Sequence, residues 1–271
     1  MKSAELQEMT FWDHVDALRG TLLRAGAVVL ILMVVFFAAM PWIFDRVILW
    51  PTRGDFPLYA LFDRITSLSP LLPDFSTEGF GIRLINIQLA SQFFVHISTS
   101  FWLAVVMAFP MIIYILWDFV APGLYPGEKR GVKRAFLLGN AMFFLGVAVG
   151  YFVVFPVTLR FLAEYQISSQ IPNQISLDSY MDNFLVLILV MGIVFELPLL
   201  AWLLGRMGVI TRDFFARFRR HAAVVLLILA AVITPTGDPF TLMVVFLPVY
   251  LLWEFSSSLV PKRILPESAE D

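Results

Sequence analysis

Residues 184–204 read FLVLILVMGIVFELPLLAWLL, an apolar run broken by a single acid, Glu196. As an α-helix these 21 residues rise about 31 Å, the thickness of a bilayer's hydrocarbon core. The stretch therefore reads as a membrane span, with Glu196 two residues from its centre and roughly 3 Å from the midplane. A carboxylate at that depth costs at least about 2.5 kcal/mol, so it is expected to face a partner, a wet cavity or a substrate path. Pro198, two positions on, cannot donate to the carbonyl one turn back, which loosens the helix beside the acid. Glu196 is thus either a functional acid or a structural one held by hydrogen bonds.

The composition agrees. Hydrophobic residues make up 59% of the chain and charged residues 15%, outside the range of soluble domains. There is no cysteine, which removes disulfides, thiol catalysis and Cys-ligated metals. The three histidines (His14, His96, His221) fall in different segments, and neither an HExxH nor a GxSxG motif nor a Walker-type glycine loop occurs. No enzyme, metal site or cofactor is expected. No cleavable signal peptide is read either, because Glu5, Glu8, Asp13 and Asp16 precede the first apolar run.

Working outward from residue 196, further apolar runs cover 25–44, 84–117, 135–159, 222–233 and 240–253. With 184–204 they predict an all-α integral membrane protein of six transmembrane helices. The run 84–117 is 34 residues, about 51 Å as helix, so part of it is expected to stand above the membrane. The last two runs, 12 and 14 residues, predict short fifth and sixth helices forming a hairpin in thinned lipid, although a re-entrant pair fits the same lengths. Fourteen of the nineteen basic residues lie in segments 1–24, 118–134, 205–221 and 254–271, which assigns those segments and both termini to the cytoplasm. One domain is expected over 1–255, with a disordered cytoplasmic tail at 256–271. In the outer segment 45–83, Leu58, Leu61, Phe62, Ile65 and Leu68 share one helical face and predict an amphipathic helix, either a cap over a cavity or a surface anchor.

The cytoplasmic loop Trp117-Asp118-Phe119-Val120-Ala121-Pro122-Gly123-Leu124-Tyr125-Pro126-Gly127-Glu128-Lys129-Arg130 is the second informative stretch. Its prolines and glycines impose a non-helical course that displays aromatic rings and one acid. Glu128 there is placed to receive an arginine-bearing peptide, or else to pair with its neighbours Lys129 and Arg130.

Five motifs in order resemble one family, TatC, the multi-span receptor of the twin-arginine protein translocase. They are His14-Val15-Asp16-Ala17-Leu18-Arg19, the 119–130 loop, Gly150-Tyr151-Phe152-Val153-Val154-Phe155-Pro156, Phe195-Glu196-Leu197-Pro198 and Thr234-Pro235-Thr236-Gly237-Asp238. The resemblance implies a glove-shaped six-helix fold in the bacterial inner membrane. It implies binding of twin-arginine signal peptides of folded proteins at Glu128 and Phe119, with Asp13, Asp16, Arg19, Pro122 and Leu124 around them. It implies an intramembrane polar site for partner contact at Glu196, Tyr151, Asp238, Thr234 and Pro235. The implied partners are TatA- and TatB-type single-span proteins in an oligomeric complex, and the implied driving force is the protonmotive force. A proton-coupled small-solute transporter using Glu196 is the rival reading, opposed by the single acid and the missing internal repeat.

Three positions depart from the family's pattern. Ala17 stands where many members carry glutamate. Asp13, one helical turn earlier on the same face, either supplies that charge or caps the helix. Thr236-Gly237 replaces the usual prolines before Asp238, and Leu242 stands where the family often has glutamine.

Overall fold

The structure, a computed structural model, describes residues 11–66, 80–120, 129–168, 170–206, 208–234 and 237–260. Helix α1 runs Phe11–Ile43, α2 Pro57–Thr66, α3 Ser91–Val120, α4 Lys129–Val149 and α5 Phe155–Glu164. Helix α6 spans Leu177–Val194, α7 Leu197–Arg206, α8 Arg212–Ile233 and α9 Pro239–Leu259. Among the described residues five helical stretches are long and apolar enough to cross a membrane: Val15–Thr52, Ser91–Leu116, Phe136–Glu164, Leu177–Arg206 and Pro239–Leu259. Helix α8 has 22 residues, enough for about 33 Å, but its first half is basic. The chain divides into two compact units, Met1–Met40 with Ile97–Asn140, and Pro41–His96 with Ala141–Asp271. The first holds most of α1 and α3 and the start of α4.

The core of the second unit is organised around irregular backbone. After α1, the chain makes a π-helical turn at Phe44–Ile48 and a 3₁₀ turn at Trp50–Thr52. Carbonyls freed there need other donors. Three tyrosines from distant segments provide them. Tyr151 donates to the carbonyl of Val47 at 2.7 Å, Tyr180 to that of Ile48, and Tyr59 to that of Pro51 at 2.8 Å. Their rings belong to one aromatic core: Phe56 lies 5.5 Å from Tyr59 and 5.9 Å from Tyr151, and Phe155 lies 5.2 Å from Tyr180 and 5.0 Å from Phe184. Burial pushes the Tyr59 hydroxyl well above its ordinary pKa, against the opposing pull of Arg160, so it remains a donor. Arg160 is itself buried, with its guanidinium 5.3 Å from the Tyr59 ring and 4.7 Å from the Phe80 ring and its Nε 3.0 Å from Glu164.

The third span also bends around a proline. A π-turn at Gly150–Val154 precedes Pro156, and widening the helix there accommodates the residue that cannot donate. Helix α5 then continues to Glu164, beyond the expected end at 159, and Asn173 caps it by donating to the carbonyls of Ala163 at 3.1 Å and Tyr165 at 2.8 Å.

Three expectations are corrected. The run 84–117 is not one helix. Leu84–Ile85 forms strand β1, parallel to β2 at Ile175–Ser176, and α3 begins at Ser91, whose hydroxyl donates to Asp178. That pairing satisfies the backbone of two connecting segments, a need that apolar composition does not reveal. The amphipathic helix exists as α2, fastened to the protein by the fully buried Phe56, just before it, and Tyr59, while Leu61 is exposed. The apolar runs 222–233 and 240–253 sit within longer helices, α8 and α9, because polar residues continue each helix past its apolar part. Finally, α9 reaches Leu259 with Ser256 and Val260 buried, so the folded domain extends past residue 255.

Candidate functional site

Glu196 stands at a break rather than inside a helix. Helix α6 ends at Val194, Phe195 and Glu196 form a turn, and α7 restarts at Leu197 with Pro198 in its first turn. The Glu196 N–H donates to Ile193 at 3.0 Å, and its carbonyl accepts from Leu200 at 3.0 Å, which starts the new helix. Pro198 contributes: lacking an N–H, it leaves the Val194 carbonyl without its intrahelical donor and weakens the helix where the break falls. The side chain is half-buried, and its Oε1 is buried without a hydrogen-bond partner among the described residues. A carboxyl oxygen so placed asks for a donor from outside the chain, or for a proton.

Glycines let neighbouring backbone close on this break. A Cβ at Gly146 of α4 would lie 2.4 Å from the Met191 carbonyl oxygen and 2.7 Å from the Phe195 Cβ. One at Gly150 would meet Ile188 Cα at 3.0 Å, and one at Gly192 of α6 would meet Phe143 at 2.8 Å. The third and fourth spans therefore touch backbone to side-chain root, the close packing that small residues four apart permit in membranes. Sequence reading missed these residues. The spacing of Gly146 and Gly150 was an available signal for a contact face, but it does not name the partner.

The other members of the expected intramembrane set do separate work. Tyr151 is engaged with Val47, and its ring packs 6.1 Å from Phe184. Thr234 is buried and ends α8, its N–H donating to Ala230 at 2.9 Å. Asp238 is the N-cap of α9, its carboxylate accepting from the Thr241 N–H at 2.7 Å. No hydrogen bond joins Glu196 to any of the three, and Pro235 lies outside the described residues. Asp238→Ala should cost about 1 kcal/mol of stability by removing the cap, while Asp238→Asn stays near neutral. Thermal unfolding in detergent checks the pair, and equal midpoints for all three proteins would rule out the capping role. Gly237 adopts φ +60°, a conformation closed to proline and open to glycine.

Asp16 and Arg19 lie exposed on α1. Pro122, Leu124 and Glu128 lie outside the described residues, as do the side chains of Asp13 and Phe119, whose backbones belong to α1 and α3.

Comparison with known proteins matches this chain to one family. The family model described as Sec-independent protein translocase protein (TatC) covers residues 13–248. The Sec-independent protein translocase protein TatC of Blattabacterium sp. subsp. Periplaneta americana is 32% identical over 253 residues, which is 93% of this chain and 95% of that protein. Its counterpart in Deinococcus radiodurans is 31% identical over 268 residues, 98% of this chain and 92% of that protein. Two crystal structures of the twin arginine translocase receptor TatC, one of them in DDM, superpose with TM-scores of 0.68 and 0.70 at 28% identity, covering 91% and 92% of this chain and 97% and 99% of theirs. The apolar helices and these matches agree: the chain belongs to the TatC family of Sec-independent protein translocase proteins.

Proposed function

We propose that this chain is the receptor to which twin-arginine signal peptides of folded exported proteins bind, and the subunit on which the export site assembles. As a TatC protein it is a multi-pass membrane subunit of the twin-arginine translocase, and family membership gives no support to small-solute transport through Glu196. Glu196 carries the assembly part of the reading. An acid at a helix break, with a buried oxygen lacking a donor, is suited to a polar group on a single-span TatA- or TatB-type helix inserted from the bilayer. The signal-peptide part rests on Glu128 and Phe119, with Asp13 as a second negative charge. Transport on this reading draws on the protonmotive force.

Glu128→Gln removes a charge with little change of shape. It should weaken binding of a twin-arginine peptide to the purified protein several-fold and affect a twin-lysine peptide much less, because lysine lacks the bidentate fork. Equal binding by wild type and variant would move recognition elsewhere. The proposed arrangement has six crossings, with α8 and α9 as the fifth and sixth and both termini cytoplasmic. The absence of cysteine makes it directly testable. Single cysteines at Ser3, Ser176 and Ser268 should react with an impermeant thiol reagent in intact cells only at 176. Outside labelling at 3 or 268 would reverse the topology.

A further inference from the structure

Helix α8 joins two halves of opposite character. Its first ten residues carry Arg212, Arg217, Arg219 and Arg220, all exposed. From Ala222 onward it is apolar, and Val224, Val225, Ile228 and Val232 are more than half exposed, as residues facing acyl chains are. The basic half is firmly seated. Phe215 is buried against Ala201 of α7 and Val260, with its ring 4.6 Å from that of Trp253, and Arg219 is ion-paired with Glu254 of α9.

Arg217 and Arg220 are left over. Neither has an ion pair among the described residues. With Val224 and Ile228 they follow three- and four-residue spacing along one face, so the two guanidinium groups stand in line with lipid-facing residues, Arg220 a single turn from Val224. Beside them a second line runs through Phe214, Phe218 and Val225. The two rings lie 4.8 Å apart, and each phenylalanine is 39% exposed.

We propose that Arg217 and Arg220 bind the phosphate of an anionic phospholipid, with Phe214 and Phe218 packed against the upper part of its acyl chains. The guanidinium fork matches phosphate oxygens, and anionic leaflets attract juxtamembrane arginines. An acidic polypeptide would satisfy the charges alone. Here the charges continue without interruption into apolar, exposed helix surface, and a ligand that satisfies both must be amphiphilic. A topological anchor needs only charge, so it accounts neither for the shared face nor for the exposed rings.

The test uses full-length protein, delipidated in detergent, titrated with single phospholipids and read by native mass spectrometry. Dioleoyl phosphatidylglycerol should bind several-fold tighter than dioleoyl phosphatidylcholine. R217Q/R220Q should abolish that preference without changing phosphatidylcholine binding, and R217K/R220K should retain part of it. R83Q, an exposed arginine in an outer loop, should leave it intact. Equal binding of the two lipids by wild type, or an undiminished preference in R217Q/R220Q, would overturn the proposal. So would displacement of the lipid by glycerol phosphate or by an oligoglutamate peptide, since each would mean that charge alone is recognised.

Discussion

Gly146→Val is expected to leave little folded protein in the membrane. Its Cβ would fall 2.4 Å from the Met191 carbonyl oxygen and 2.7 Å from the Phe195 Cβ. Neither obstacle is the tip of a flexible side chain, so α4 and α6 must separate along their contact. Overpacking in a close-packed interior costs about 1–3 kcal/mol, and movement of backbone should bring this variant to about 3 kcal/mol or more. Gly146→Ala carries the same Cβ and should show a smaller loss of the same sign. Gly26→Ala is the control: nothing lies within 4 Å of a Cβ there, so it should be neutral or stabilising by up to about 1 kcal/mol. The measurement is the unfolding midpoint in detergent together with the amount of protein in the membrane. A Gly146→Val protein that melts with the wild type would mean that the two spans do not meet as described.

The second large effect belongs to Glu196, and it should appear in assembly rather than in the isolated chain. Its buried Oε1 lacks a donor, so Glu196→Ala should leave the purified subunit as stable as the wild type or more so. The same variant should lose crosslinking to a single-span partner, and export with it. Glu196→Gln keeps a polar group of nearly the same shape and should retain the fold and much of the export. Glu196→Lys sets an ammonium in the apolar layer at a cost of about 2.5–3.5 kcal/mol and offers no acceptor, so it should fail in both assays. If the alanine variant destabilised the isolated chain yet assembled and exported normally, Glu196 would be a structural residue.

Apolar runs, Glu196 and the basic segments were legible because a bilayer acts on quantities a sequence states directly: length, composition and where charges fall. Residues 184–204 showed both the span and its anomaly, and Pro198 announced a weakened helix. That the weakness is a full break, with α6 ending and α7 restarting, was not legible, since a proline can also bend a helix that continues. Tyr59 and Tyr180 carried no sequence signal of their role and Tyr151 was assigned to partner contact, yet each serves a carbonyl between Val47 and Pro51, up to 132 residues away in sequence.

What the sequence determined by itself is therefore the class of protein, the segments that meet lipid and the single acid that lipid should not hold. Tertiary structure decided how the carbonyls between Val47 and Pro51 are satisfied, which helix face Gly146 opens, and that Phe56 and Tyr59 rather than Leu61 fasten α2. Those outcomes depend on donors, acceptors and bare Cα atoms brought together from distant segments. Hydrogen bonds and close packing act over a few ångströms, and no local pattern of hydrophobicity encodes which remote partner arrives.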